Sequence, residues 1–323
     1  MDENLLGPQS VDRLVTVLMP VYNGAKYLRQ QLDTILSDPL ADPIIICDDA
    51  STDDSFELLK SMATSPRVIL LRNDANRGVI STIEYLLGMV RSPFFALADQ
   101  DDIWNPGRLG KCVNVLTQTG ALLVYSDLEV VRDDLTLISR SRWRLSNQRP
   151  LRGRCVEPLI IKSPVNGCTV VARQRLLNHC LPFPTDIPMH DTWLAAVSAA
   201  LGGLEFLNEQ TVLYRQHSSN ESGGASSYSV SGLIHRVRTH ADGRLGAYSR
   251  LRLNHRMALL NGLKQKGLIS PLQEKLFVYY SSDTSLRVFR LPFYLSVLVR
   301  RCMRLGLRNL ATDVVMTVIP NRP

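Results

Sequence analysis

Two ways of gripping phosphate are missing from this chain. Neither GxGxxG nor GxxxxGK[ST] occurs in its 323 residues, which excludes the dinucleotide fingerprint and the P-loop. CxxC pairs are absent as well. The six cysteines (Cys47, Cys112, Cys155, Cys168, Cys180 and Cys302) are scattered, mostly among apolar neighbours, so neither a zinc site nor a disulfide framework is expected and the thiols read as reduced core residues. No apolar run approaches the roughly 18 residues of a membrane-spanning helix. Residues 1 to 13 lack a basic region followed by an apolar core, so no leader is expected and the chain reads as cytoplasmic.

What is present is an ordinary globular composition, 45% hydrophobic and 21% charged, enough for a core and two domains. The net charge of +7 is unevenly divided. Residues 226–323 carry 16 Lys and Arg against 4 Asp and Glu, or +12, leaving 21 against 26, or −5, for residues 1–225. The basic character belongs to the tail.

Val15 to Met19 is a β-branched run stopping at Pro20, and Ala25 to Leu36 follows with Tyr27, Leu28, Leu32, Ile35 and Leu36 at helical spacing. Pro43 to Cys47 is a second strand, ended by Asp48 and Asp49, and Ser51-Thr52-Asp53 opens a second helix. Val68 to Leu71, Val79 to Val90 and Pro93 to Ala98 read as strand, helix and strand. This alternation predicts an α/β fold with parallel pairing, its ligands gathered at the carboxyl ends of the strands. The polar residues sit there: Tyr22 and Asn23, Asp48 and Asp49, Asn73 to Arg77, and Asp99 to Asp102.

The last of these clusters, ADQDDIW, is the centre of the reading. On an extended backbone Asp99 and Asp101 point one way and Asp102 the other. Two carboxylates in one space call for a cation between them, here a divalent metal with places left for a substrate diphosphate. A solvated acidic turn or a helix cap ahead of Asn105 and Pro106 is the alternative. Asp48 and Asp49 read equally as the approach to a cap of the second helix.

Four segments, VTVLMPVYNGAKYL, IIICDDASTDDS, LRNDANRGVISTIEYLL and FFALADQDDIWNPGRL, stand in the order and spacing of a family 2 glycosyltransferase of the inverting GT-A type. The chain resembles that family over residues 14 to 220. ADQDDIW and YRQHSSN are similar to its bacterial rhamnosyltransferase-like branch.

The resemblance implies a mixed, Rossmann-like sheet flanked by helices and a nucleotide-sugar donor on Pro20, Tyr22, Asp48, Asp49, Asn76, Arg77, Asp99 and Gln100. Asp49 is the better candidate of its pair for a pyrimidine ring, with Tyr22 stacking nearby. It implies Mn²⁺ or Mg²⁺ on Asp99 and Asp101, with His217 as a third ligand, although a lone His is more often a hydrogen-bonded surface residue. The acid that opens the helix from Thr192 to Ala200 is the family's base. Here it is Asp191, which taken alone reads as the helix N-cap, and His190 stands where the family commonly has Glu. Asp102, Trp104, Asn166, Gly167 and His190 fall on the acceptor side, and the acceptor is expected to be lipid-linked or an oligosaccharide. Two other classes read less well. A sugar nucleotidyltransferase would show a glycine-rich basic loop after the first strand, which VYNGAKYL is not, and a non-catalytic scaffold would have lost carboxylates that are all present.

Further along, Leu122 to Ser126 reads as a strand, Leu128 to Ile138 as a hairpin turning at Arg132 to Asp134, Ser141 to Arg154 as a basic loop around Trp143, Val165 to Ala172 as a strand, Arg175 to Cys180 as a short helix and Val212 to Gln216 as a last strand. The expected organisation is an extension over 1–13, a catalytic domain over 14–220 divided at 125, and a basic amphipathic helical region over 221–323. In that tail Val230, Leu233, Ile234, Val237 and Ala241 keep helical spacing among Arg236, Arg238 and Arg244, and Ser270-Pro271-Leu272-Gln273 is a helix start. Leu291 to Val299 runs into Arg300, Arg301, Arg304 and Arg308. Leucines and aromatics beside an arginine face suit an anionic membrane surface on the inner side of the cell membrane. Packing on the enzyme or on a second copy as a homodimer is the alternative, and nucleic acid is not expected.

Overall fold

The computed structural model describes residues 14–217 and 244–282, with backbone alone over 244–250. It begins with β1 (Val15–Val21), α1 (Ala25–Leu36), β2 (Ala41–Asp48), α2 (Ser55–Met62), β3 (Val68–Arg72), α3 (Val79–Leu87) and β4 (Phe94–Leu97). A short β5 (Ile103–Trp104) and α4 (Arg108–Thr119) come next, then β6 (Leu123–Arg132), β7 (Leu137–Ser139), α5 (Arg142–Leu145) and α6 (Val156–Ile161). β8 (Val171–Arg173), α7 (Leu177–Cys180), α8 (His190–Leu201) and β9 (Leu204–Gln216) complete the first stretch; α9 (Arg244–Gln265) and α10 (Pro271–Ser281) form the second.

The strands make one mixed sheet in the order β3-β2-β1-β4-β8-β6-β9-β5, with β7 on β6. β1, β2, β3 and β4 are parallel, β8 is antiparallel to both β4 and β6, and β6 and β9 are parallel. The carboxyl ends of β1, β4, β6 and β9 therefore lie at one edge. Both faces are covered. Val15, Val17, Met19, Ile44 and Ile46 face α1 and α4, while Leu18, Ile45, Phe95 and Tyr125 face α3, α6 and α8. Such two-faced burial is why these strands are nearly continuous apolar runs.

The last two helices are built onto this body. Leu259, Leu260, Leu263, Leu276, Tyr279 and Tyr280 join the core on the α8 face. Arg252 Nη2 donates to the Ile161 carbonyl at 2.9 Å and Lys266 Nζ to that of Leu181 at 2.8 Å. Ser270 caps α10, with Gln273 closing the box and Pro271 in the first turn, as the sequence predicts. Residues 251–282 thus pack on the body formed by the first stretch. The amphipathic pattern from Val230 to Ala241 and the membrane reading of Leu291 to Arg308 lie outside the described residues. Among the described residues no helix is long and apolar enough to cross a membrane.

Several expectations change. Leu122–Ser126 and Leu128 onward are one strand, β6, whose register on β9 shifts around Ser126 to Glu129; the polar pair Ser126-Asp127 that reads as a break is buried and hydrogen-bonded instead. Val165 to Ala172 is a strand only at its end, because Gly167–Thr169 forms a 3-10 turn. The final strand starts at Leu204 and not Val212. The second helix starts at Ser55, with Asp54 in the N-cap position. All five described cysteines are free and buried.

Gly262 of α9 marks where the second stretch meets the first, since a Cβ there would lie 2.8 Å from Pro184 Cγ and 2.8 Å from Trp193 Cζ3 on α8. Gly262→Val is expected to cost about 1–3 kcal/mol by overpacking, read as a lower midpoint in urea unfolding. An unchanged midpoint would mean that α9 does not dock on α8 in solution.

Candidate active site

β4 ends at Leu97 and the chain turns at Gln100 and Asp101, so side chains do not alternate as they would on an extended strand. This corrects the expected pairing. Asp99 Oδ, Asp102 Oδ and Cys168 Sγ lie within 4.8 Å of one another, while Asp101 Oδ2 sits 2.8 Å from His217 Nε2. Asp102 is fully buried; desolvation first, then the charges of Asp101 and Asp99, push its carboxyl well above the usual range. Burial likewise holds the Cys168 thiol well above its ordinary value, so it stays protonated.

The turn is held by groups from three elements. Gln31 of α1 donates to the Asp99 carbonyl at 2.7 Å. Arg215 near the end of β9 is buried and donates from its backbone N to Asp102 Oδ1 (3.2 Å), from Nε to the Asp101 carbonyl (2.9 Å), from Nη1 to the Asp133 carbonyl (2.6 Å) and from Nη2 to Gln30 Oε1 (2.7 Å). Its guanidinium also lies 4.9 Å from the Tyr27 ring centre. Two residues on, the His217 ring stacks on Tyr27 at 4.7 Å and 24°. Tyr27 is fixed by its hydroxyl, which donates to Asp133 Oδ1 at 2.7 Å, while Lys26 pairs with Asp133 Oδ2.

A divalent cation fits this donor set. Carboxylate and imidazole already converge in the Asp101 and His217 pair, and three carboxylates crowd a region where one is driven towards its neutral form for want of compensating charge. Asp101 and His217 would hold the cation, whereas Asp99 lies with Asp102 and Cys168, so its expected place as a ligand beside Asp101 is corrected. Asp102 belongs to the support of the turn, where its backbone-bound carboxylate is out of solvent.

The loops after β1 and β2 interlock. Tyr22, 44% exposed, has both backbone groups clamped by the Gln100 amide: its N–H donates to Oε1 at 2.8 Å and its carbonyl accepts from Nε2 at 3.0 Å. Gly24 lets that amide in, since a Cβ would lie 2.5 Å from Gln100 Oε1. Asn23, in the left-handed region at φ 50°, accepts from Thr52 N at 2.8 Å through its Oδ1. Pro20 is half-buried at the end of β1. Asp48 is buried against Arg72 Nε at 3.3 Å. Both oxygens of Asp49 are engaged, by Asn73 Nδ2 (2.6 Å), Arg77 N (2.9 Å) and Gly78 N (2.9 Å). Asp49 thus shapes the loop leading into α3, and Asn76 and Arg77 stand exposed on that loop.

On the other side, Asp191 corrects its expected role as an N-cap. The cap position is Met189, and Asp191 lies in the first turn of α8, where the helix dipole favours a carboxylate. Its Oδ1 accepts from Thr192 N at 2.5 Å and Thr192 Oγ1 at 3.0 Å. Its Oδ2 lies 3.9 Å from where a Cβ on Gly167 would stand, and His190 Nε2 lies 3.2 Å from the same point. Asn166 precedes this glycine and is half-buried. Burial lowers the pKa of His190, against the pull of Asp191, which keeps its imidazole neutral at pH 7. The turn at Gly167–Thr169 joins the halves, with Gly167 against Asp191 and Cys168 against Asp99 and Asp102.

One acceptor-side residue does not reach the site. Trp104 is buried in the core under Arg108, whose guanidinium carbon lies 4.0 Å from its ring centre and whose Nη2 donates to the Cys168 carbonyl at 2.6 Å. The sequence reading also missed Tyr27, Arg108, Cys168 and Arg215. Only Arg215 carried a signal, as the Arg two before His217.

Comparisons with known proteins bear on the fold and the family. A UDP-Glc:α-D-GlcNAc-diphosphoundecaprenol β-1,3-glucosyltransferase, WfgD of Escherichia coli, is 24% identical over 181 residues, 54% of this chain and 65% of that protein. Among solved structures, Staphylococcus aureus TarS in complex with UDP-GlcNAc matches with a TM-score of 0.54 at 13% identity, over 94% of this chain and 89% of that one. The mannosyltransferase PcManGT from Pyrobaculum calidifontis, in complex with GDP-Man and Mn²⁺, matches with a TM-score of 0.50 at 17% identity, over 95% and 86%. These likenesses show the α/β GT-A fold. The family model for glycosyl transferase family 2 matches residues 16–177, from the first strand through the carboxylate turn to the end of β8 and beyond, and the chain belongs to that family.

Proposed function

We propose that this enzyme transfers a sugar, L-rhamnose from dTDP-rhamnose, to a hydroxyl of a lipid-linked or polysaccharide acceptor in cell-surface glycan synthesis, with inversion at the anomeric carbon. The observation that carries the reaction type is the convergence at one sheet edge of the Asp101 and His217 pair with Asp191, whose Oδ2 faces the glycine at position 167. The choice of rhamnose rests on the likeness of ADQDDIW and YRQHSSN to the rhamnosyltransferase-like branch, and the acceptor class on the name of the Escherichia coli relative.

Asp101 and His217 would hold Mn²⁺ or Mg²⁺. When bound, such an ion neutralises charge on the leaving diphosphate. The protein's own part begins with Asp191. Oδ2 takes the proton of the acceptor hydroxyl as that oxygen bonds to the anomeric carbon, the bond to the diphosphate oxygen breaks, and nucleoside diphosphate leaves. Thr192 holds Oδ1 and so aims Oδ2. One displacement inverts the configuration. Gln100 presents the exposed Tyr22 to the nucleotide, and Gly167 leaves room for the acceptor beside Asp191. Membrane contact at the inner face of the cell membrane is assigned to the tail beyond the described residues.

A panel of dTDP, UDP and GDP sugars incubated with the protein and Mn²⁺ tests the reading. The dTDP sugar is expected to raise the melting temperature and to be slowly hydrolysed. Preference for a UDP or GDP sugar would remove the rhamnose assignment, and hydrolysis of none would remove the enzyme assignment. Asp101→Ala is expected to abolish turnover and Mn²⁺-dependent binding of nucleoside diphosphate, measured by calorimetry. Asp191→Asn is expected to keep donor affinity and lower kcat by about 10²-fold or more; equal loss of affinity and turnover would make Asp191 structural. Gln100→Ala frees the Tyr22 loop and is expected to raise donor KM by about tenfold, the loss of one or two hydrogen bonds, with little change in kcat.

A further inference from the structure

We propose that the cleft between α5 and the far halves of β6 and β9 binds a diphosphate on the acceptor, with Arg140 and Arg144 taking its charge. The proposal rests on the glycosyltransferase reading above and goes beyond it by naming the acceptor's anionic group and the residues that recognise it. The cleft holds about 530 Å³ and is lined by Glu129, Arg140, Trp143, Arg144, Asn208 and Gln210 among others, a volume in the range of small-ligand sites.

Its chemistry has two parts. From Arg140 to Arg154 the chain carries six arginines and no acidic residue. Arg140 and Arg144 are exposed, and neither forms an ion pair among the described residues. Of the two carboxylates in the wall, Glu129 makes no ion pair with either arginine, and Asp127 is buried and already accepts from Ser141 Oγ (2.5 Å), Leu128 N (2.9 Å), Trp143 N (3.2 Å) and Gln210 Nε2 (3.4 Å). It therefore builds α5 and leaves the two guanidinium groups for a ligand. Forked guanidinium donors match phosphate oxygens, whereas the amides and Glu129 suit sugar hydroxyls. A neutral glycan would offer the two guanidinium groups hydroxyl acceptors but no opposite charge.

Position supports the same occupant. Trp143 Nε1 donates to the Pro164 carbonyl at 3.0 Å and Gln148 Nε2 to that of Ser163 at 2.6 Å. One wall is thereby fastened to the segment that leads through Asn166 to Gly167 and Asp191. The opposite wall is fastened near the carboxylate turn, because Asn105 Nδ2 donates to the Gln210 carbonyl at 2.9 Å. An acceptor lying along that segment from Asp191 would bring its anomeric substituent to this cleft. The donor's diphosphate is the other source of the same chemistry, and the experiment separates them.

Initial rates of the full chain are measured with two acceptors, a short-chain alkyl diphosphate sugar and the neutral alkyl glycoside of the same sugar. In the double variant Arg140→Gln, Arg144→Gln, KM for the diphosphate acceptor is expected to rise about tenfold or more, the scale of losing charge-assisted hydrogen bonds. KM for the neutral glycoside, KM for the donor and donor hydrolysis should stay as they were, and Arg140→Lys, Arg144→Lys should recover part of the loss. A rise in donor KM, or equal changes for both acceptors, would overturn the proposal. If the wild type turns over no sugar nucleotide, the enzyme reading fails by itself, and calorimetry with geranyl diphosphate in EDTA then decides on the cleft. Binding that the double variant weakens about tenfold supports it; binding that the variant leaves equal, or no binding at all, overturns it.

Discussion

Three carboxylates at the end of one short strand are the constraint around which the site is arranged. Asp99, Asp101 and Asp102 cannot all stay ionised in a small, partly dry volume without positive charge nearby. The protein supplies a fixed part of that charge with two buried arginines, Arg215 on the turn's backbone and Arg108 beneath Cys168. A guanidinium is the group that survives such burial, because it remains protonated and its planar donors satisfy several acceptors at once. The remaining deficit falls on the side where Asp101 meets His217, which is where the proposed cation would sit.

Arg215 does more than balance charge. Its five contacts join α1, the β6 to β7 turn, and the carboxylate turn, three pieces of chain that approach from different parts of the sequence. The Tyr27 ring is shared between this guanidinium and the His217 imidazole. Side chains held through a second layer keep their orientation with or without a ligand. In this chain that layer is α1, which also holds the Asp99 carbonyl through Gln31.

The parallel half was legible in the sequence because its strands are buried on both sides and its helices on one, so each has a periodicity of its own. Ala25 to Leu36 even has the boundaries read from spacing. Beyond Asp102 that signal fails for identifiable reasons. α6 is buried all round and contains Pro158, so it shows no apolar stripe. Asp127 and Ser126 look like a strand's end, and only the distant Ser141 and Thr211 make their burial affordable. Resemblance singled out Asp101, His217 and Asp191 as candidates, but which carboxylates share a space followed from the turn at Gln100 and Asp101, which spacing does not encode. Trp104 was misplaced for a similar reason: a residue three positions from a charged turn reads as part of the site, and only Arg108 over its ring shows that it faces inward.

The base depends on a part of the chain that carries no motif. Asp191 stands in the first turn of α8, and α8 is anchored from behind by Trp193, which donates to the Cys180 carbonyl at 3.2 Å and packs on Gly262 of α9. A catalytic carboxylate on a helix is as well placed as the helix is fixed, and misplacement by an ångström is enough to cost rate. The second stretch of the protein is therefore part of what fixes the helix that carries Asp191: α9 packs on α8 at Gly262 and Trp193, and α10 packs on α9.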